Sequence, residues 1–363
     1  MNKINKWIIA FCCIVSIAII SNCTKKDEVQ LQTDKLPYAQ LSDYQFFKED
    51  IRELSPNEKV LPYHLNTPLF TDYSHKQRFV WMPKGKSAAY TPSGVVQFPD
   101  STVLIKNFYY IDNEQLPTSP RRIIETRLLI QLQGKWQAHS YVWKDDQSDA
   151  VLDVVGGTKP VDWIDKNGNK KHVDYAIPNK NQCKSCHNIN EVLQPIGPKV
   201  ANLNRDYPYS SGTKNQLTQW KEHGFLTGDF DPATAPRMVQ MDDKNAPLQQ
   251  RALAYLEMNC GHCHNPNSPA STTGLYLTYL QNNWVRLGLY KSPVAAGKGS
   301  GGRLYDLVPQ QPDSSILVYR MASIDPGVMM PEVGRTMIHE EGVALIREWI
   351  TSIDKERVKQ PVQ

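Results

Sequence analysis

Apolar residues fall into three regimes along the chain. The first is a continuous run at 7–20, preceded by Lys3 and Lys6. It is too short to cross a bilayer, which takes about 20 apolar residues. Its basic start and apolar middle have the layout of an export signal. The second regime covers 36–178, where short stretches rich in β-branched and aromatic residues predict strands at 77–82, 102–111, 123–132 and 136–143. Gln133-Gly134-Lys135 joins the last two as a hairpin, and Asp165-Lys166-Asn167-Gly168-Asn169 places an Asn-Gly turn between two further runs. Strands at this spacing predict an antiparallel sandwich or jelly roll. One helix is expected here, at 41–54, with Phe46, Phe47 and Ile51 on one face.

The third regime has helical spacing. A short helix is expected at 215–223, with Leu217 and Trp220 on one side and Gly224 as its stop. Another is expected at 248–259, packing through Leu253, Tyr255 and Leu256. A third, at 340–352, repeats Val343, Ile346, Trp349 and Ile350, with Glu340 and Glu341 at its N-terminus. The expected fold is therefore multidomain α+β: an N-terminal β domain, sandwich or jelly-roll-like, then a mainly α-helical region. The segments divide as 1–22 leader, 23–35 tether, 36–178 β domain, 179–243 and 244–356.

Composition changes this picture little. A net charge of +4 over 363 residues, with no long basic run, gives no reason to expect a nucleic-acid partner. A 40% hydrophobic and 21% charged content suits globular domains. The seven cysteines change it much more. Four of them form Cys183-Lys184-Ser185-Cys186-His187 and Cys260-Gly261-His262-Cys263-His264.

Both stretches read C-x-x-C-H, the attachment signature of a c-type haem. Two thiols one helical turn apart add across the porphyrin vinyl groups, and the adjacent histidine becomes the proximal iron ligand. A redox dithiol would sit near a βαβ pattern, which neither motif has. A two-knuckle zinc site or a disulfide within each pair would leave both histidines unexplained. Two covalently bound haem c groups are thus expected on Cys183, Cys186, Cys260 and Cys263, with His187 and His264 as iron ligands. Cys12 and Cys13 lie in the leader, so no pair remains for a structural disulfide.

The leader ends in Ile20-Ser21-Asn22-Cys23, similar to a bacterial lipobox, in which Cys23 is lipidated and becomes the new N-terminus. The polar residues 24–35 then read as a flexible tether. Export agrees with the haem motifs, because c-type haem is attached outside the bacterial cytoplasm. The expected location is the bacterial cell envelope, in the periplasm or at the outer membrane. Thr24 argues mildly against retention at the inner membrane.

Sixth ligands are less determined. Met329-Met330-Pro331 lies upstream of the last helix, and Met330 is the expected ligand of the second haem, with Met329 the alternative. For the first haem, His223, Met238, Met241 and an open position all stay in play. His262 is expected to face solvent. Pro266 or Pro269 is expected to orient His264 through a carbonyl, and Arg303 and Arg320 are candidates for propionate contacts. In the β domain, His64, Asp72, His75 and His139 are metal-capable but share no recognised spacing.

The region from 244 onward resembles the class I cytochrome c fold, with a helix entering C-x-x-C-H and a terminal helix to cross it. More of the chain resembles bacterial diheme c-type cytochromes of conserved hypothetical type. The matching stretches are Leu65-Asn66-Thr67-Pro68-Leu69-Phe70-Thr71-Asp72-Tyr73, Ile105-Lys106-Asn107-Phe108-Tyr109-Tyr110, Glu125-Thr126-Arg127-Leu128-Leu129, Pro178-Asn179-Lys180-Asn181-Gln182-Cys183 and Asn259 to Pro266. A departure is Ser101, where the resemblance leads one to expect glycine. The resemblance implies electron transfer; the expected redox partner proteins, a dehydrogenase donor and a cytochrome or oxidase acceptor, belong to the leading reading of an electron carrier and are not supplied by the resemblance. Two other functions are weighed against an electron carrier. One is a diheme peroxidase-like enzyme with an open first haem. The other is a β module that docks a dehydrogenase or a saccharide.

Overall fold

The computed structural model describes residues 28–355. The export signal, Cys23 and the start of the tether lie outside the described residues. The framework is a six-stranded antiparallel sheet in the order β1-β2-β4-β5-β6-β7. Its strands are β1 (Val60–Tyr63), β2 (His75–Trp81), β4 (Val103–Ile111), β5 (Arg121–Leu132), β6 (Lys135–Trp143) and β7 (Ala150–Asp153). Strand β3 (Ala88–Ala89) lies outside this sheet and pairs in parallel with β14 (Leu226–Thr227).

Alternation gives the sheet two apolar faces. On one, Phe79, Val103, Ile105, Leu128, Ile130 and Trp143 are covered by Leu41, Tyr44, Phe46, Phe47 and Leu54. The covering segment is not the helix expected at 41–54. It is two 3₁₀ turns, Leu41–Tyr44 and Ile51–Glu53, each closed by a left-handed residue, Gln45 at φ 55° and Leu54 at φ 51°. The chain between them extends so that Phe46 and Phe47 both reach the sheet.

The opposite face carries Leu61, Tyr63, Val80 and Leu104. It packs against α2 (Val200–Leu203), α3 (Gln216–Glu222) and α4 (Leu248–Asn259) through Val200, Leu203, Leu217, Trp220 and Met258. Trp220 meets Tyr63 edge-on at 5.7 Å. Full burial of such side chains is worth about 1.5–3 kcal/mol each. This shared core fixes the later segments on the sheet.

A ribbon of β8 (Gly157–Ile164) and β9 (Lys170–Ile177) packs Val161, Trp163, Val173 and Tyr175 on Phe108, Tyr110 and Ile124. The expected sandwich is therefore corrected. The second layer is only this two-stranded ribbon, and helices and loops cover the rest of the sheet.

The mainly α-helical cytochrome c region is also corrected, and with it the expected class I fold. Among the described residues the six α-helices are short, the longest being α6 (Glu340–Ser352), and the molecule is mostly β. No α-helix lies between α4 and α5 (Ile316–Met321). The intervening sequence is rich in Gly, Pro, Ser and Asn, which favour turns over helix. The two helices expected at 248–259 and 340–352, α4 and α6, do form and pack together, with Leu253 and Leu256 in one core with Ile346 and Trp349. A Cβ at Gly342 would come within 2.4 Å of the Tyr255 ring, so glycine permits this close approach.

Ser101, the departure from the expected glycine, has φ 68°. That left-handed backbone is one glycine adopts without cost, which gives the expectation a physical basis.

Candidate functional site

The first motif rides on α1 (Lys180–Cys186), a seven-residue helix that starts directly after β9. Asn179 caps it, accepting from the Asn181 and Gln182 amides, while Gln182 Oε1 accepts from the Asn179 amide at 2.9 Å. This capping box starts the helix so that Cys183 and Cys186 fall three residues apart, on one face. His187 ends the helix. A tight hairpin, β10 (Asn188–Ile189) with β11 (Val192–Leu193), returns the chain so that the Gln194 carbonyl lies 2.8 Å from His187 Nδ1. A carbonyl only accepts, so Nδ1 carries the proton in the neutral ring and the Nε2 lone pair is available. Metal-binding histidines are commonly oriented by such a bond. Burial pushes the His187 pKa down to about 4, which keeps the ring neutral at pH 7.

The second motif follows α4. The Cys260 and Gly261 amides both bond the Leu256 carbonyl at 2.8 Å, and the His264 amide bonds the Cys260 carbonyl at 2.9 Å. Gly261 leaves no room for a side chain, since a Cβ there would lie 2.8 Å from both the Glu257 and Leu277 carbonyls. Burial also lowers His264 to about 4. Its Nδ1 is buried and makes no hydrogen bond of ordinary geometry, although the Leu275 backbone is close enough to favour the protonated ring. Neither Pro266 nor Pro269 supplies the expected carbonyl.

Each motif borders its own large cavity. The first, about 1480 Å³ counting its open mouth, is lined by Cys183, Cys186 and His187 together with the sheet. The second, about 1530 Å³ counted the same way, is lined by Cys260, Cys263 and His264. Cys186, His262, Met321 and Met330 border both. The motifs meet at this wall: Cys263 Sγ lies 3.9 Å from the Ser185 carbonyl, and Cys186 is close enough to Cys263 and His262 to bond both. The Cys186 thiol is held up by the hydrogen bond to Cys263 and by burial, and burial pushes Cys260 up to about 12. None of the four cysteines is in a disulfide. Two cysteine sulfurs and a neutral imidazole bordering one cavity, twice over, form a donor set that fits a covalently attached porphyrin.

Met330, the expected second ligand, borders the second cavity, whereas Met329 does not. Arg335, 5% exposed, fixes the loop, donating from one guanidinium nitrogen to the carbonyls of Met330 at 2.8 Å and Ser323 at 2.9 Å. Arg320 also borders the second cavity, while Arg303 lies over the Tyr319 ring at 4.1 Å, outside both cavities. His262 is not solvent-facing: it is 6% exposed, wedged where the motifs meet. None of His223, Met238 and Met241 borders either cavity. His223 caps α3 with Nδ1 on the Gln219 carbonyl at 3.0 Å, and Met238 and Met241 pack in apolar cores. The imidazole and thioether groups that do border the first cavity include His139, His339, Met258 and Met321.

Among the described residues no group of three or more His, Cys, Asp or Glu is arranged to hold a metal ion. His75 pairs with Glu114 at 2.8 Å. His139, on β6, borders the first cavity, and its Nε2 is buried without a hydrogen-bond partner.

Asp72 does something the sequence did not suggest. It is 1% exposed and accepts from the amides of Thr336 and Met337, both at 2.8 Å. It lies in a strap, 65–73, that ties the sheet to α2, to the end of α4 and to the loop before α6. Asn66 Nδ2 donates to the Ala201 and Asn204 carbonyls, the Thr67 amide donates to Asn202, and the Phe70 amide donates to Asn259 at 2.8 Å. The one signal available was the density of Asn, Thr, Pro and aromatic residues in this stretch. No family model, curated protein or solved structure matches the chain.

Two half-buried histidines outside the motifs contribute a pH dependence. Burial lowers both His139 and His339 from 6.5 to about 4. Between those values the unfolded chain binds protons that the folded chain does not, so stability falls as pH drops. Urea unfolding between pH 7 and 4 is expected to show a loss of up to about 1.4 kcal/mol per pH unit for each titrating group. A His339→Gln variant should reduce that slope. An unchanged slope would mean that His339 is readily protonated in the folded protein.

Proposed function

We propose that the chain is an exported electron-transfer protein carrying two covalently bound c-type haems, one on each C-x-x-C-H motif. The observation that carries this reading is the meeting of two thiol–thiol–imidazole sets, each bordering its own cavity, at a wall formed by Cys186, Cys263 and His262. Haem iron, when bound, supplies a one-electron couple. The protein's own groups do the rest. The cysteine pairs fix the macrocycle, and His187 and His264 present neutral imidazoles. The Gln194 carbonyl orients His187. Met330 offers a soft thioether to the second iron, which favours the reduced state and raises the potential. A lipidated Cys23 would hold the molecule at the cell envelope, between a dehydrogenase donor and a cytochrome or oxidase acceptor.

The test is the intact mass of the mature protein made in a host that matures c-type cytochromes, with reduced and oxidised absorption spectra. Two haem masses per chain and a sharp reduced α-band are expected. A chain at its bare peptide mass under those conditions would sink the reading.

A further inference from the structure

The floor of the first cavity belongs to the main sheet. Its register sets Tyr63 opposite Arg78, Arg78 opposite Lys106, and Lys106 opposite Arg127, across β1, β2, β4 and β5. Directly opposed residues in a ladder share a face, and all three cations border the cavity. Like charges directly opposite one another destabilise a sheet, and a buried charge requires a partner. The anion at hand serves only one of the three. Glu125, fully buried, takes Arg127 through two bonds of 2.8 and 2.7 Å. Arg78 is 6% exposed and makes no hydrogen bond or ion pair among the described residues. Lys106 makes no hydrogen bond or ion pair among the described residues; it has the Phe108 ring 4.6 Å from its Nζ, and Glu125, already bonded to Arg127, lies only within electrostatic reach.

The surroundings add cations, not anions. Lys76 neighbours this row, and burial with the charge of Arg78 pushes it down to about 7. Asp72 is within electrostatic reach of Lys76, but its oxygens are committed to Thr336 and Met337. The row also lies beside the first motif, since Lys106 and Arg127 both act on the His187 ring.

We propose that Arg78 and Lys106 bind the propionate carboxylates of the haem held by Cys183, Cys186 and His187, so that the sheet anchors the charged edge of that cofactor. This rests on the haem reading above. Both cations disfavour the more positive ferric state, and removing either also leaves a propionate uncompensated, so both effects lower the potential.

The experiment compares the wild-type holoprotein with Arg78→Gln, Arg78→Lys and Lys106→Gln by intact mass, spectroelectrochemical titration and resonance Raman spectroscopy. Arg78→Gln is expected to keep both haems, lower the potential of one of them, and shift its propionate-bending bands. Arg78→Lys should restore most of both. Lys106→Gln should act in the same direction and serves if Arg78→Gln does not fold. Unchanged potentials and bands in a variant that carries two haems would overturn the proposal and leave the haem reading standing. If, in addition, succinate raised the melting temperature of the wild type and not of the variant, the row would belong to a free dicarboxylate. A wild type with no covalent porphyrin would overturn the reading and the proposal together.

Discussion

Replacing Cys183 and Cys186 together by alanine is expected to remove one haem mass from the mature protein and halve its Soret absorbance. Replacing Cys260 and Cys263 together should do the same to the other haem. The expectation of separable losses comes from the two cavities. Each thiol pair borders mainly its own space, and each histidine is placed by local chain: His187 by the α1 capping box and the Gln194 carbonyl, His264 by the turn around Gly261. On the proposed haem reading, each variant then reports on one iron. Protein that retains only the second motif should show the weak long-wavelength band of iron–thioether bonding, and Met330→Ala in that background should abolish the band. Carbon monoxide added to the reduced form of each variant assigns any open position to one site. If either double variant kept both haems, or the two lost them only together, the picture of two independent attachment sites would fail.

The strands and the helices flanking the second motif were legible because their signals are local. Alternation at 103–111 and 123–132, the Asn-Gly turn before β9, and the helical spacing of Val343, Ile346 and Trp349 each lie within a dozen residues. The thiol–imidazole sets were legible for the same reason. What failed was extrapolation from these. Two helices at the ends of a segment say nothing about the turn-rich chain between them, and strands alone do not reveal whether a second sheet or a set of loops covers the first. The cationic row was invisible because Arg78, Lys106 and Arg127 come together only through the strand register. His262 was misread because its burial depends on contact with the first motif, remote in sequence. Asp72 was noted as a metal-capable carboxylate, yet its partners, Thr336 and Met337, lie at the other end of the chain.

That long-range contact makes Asp72→Ala the most destabilising single substitution proposed for this chain. The carboxylate takes the amides of Thr336 and Met337 and the Thr336 hydroxyl, at 2.8 to 3.1 Å. Without it, buried donors lose their partner, at a cost of roughly 3–5 kcal/mol in total. The site is also strained, because Asp72 and Tyr73 are consecutive non-glycine residues with left-handed backbone, at φ 46° and 59°. Such residues persist only where their surroundings hold them. Here the Tyr110 hydroxyl donates to the Asp72 carbonyl at 2.6 Å, and Tyr73 bonds Glu341 at 2.9 Å. Releasing Asp72 therefore loosens both ends of the contact. The loop it holds includes Arg335, whose guanidinium fixes the Met330 carbonyl. The variant should thus unfold at lower urea and, while still folded, lose part of the iron–thioether band. Asp72→Asn keeps one acceptor oxygen and should fall between the two. A normal urea midpoint for Asp72→Ala would show that the strap contributes little, and a full thioether band in a clearly destabilised variant would separate the strap from the Met330 loop.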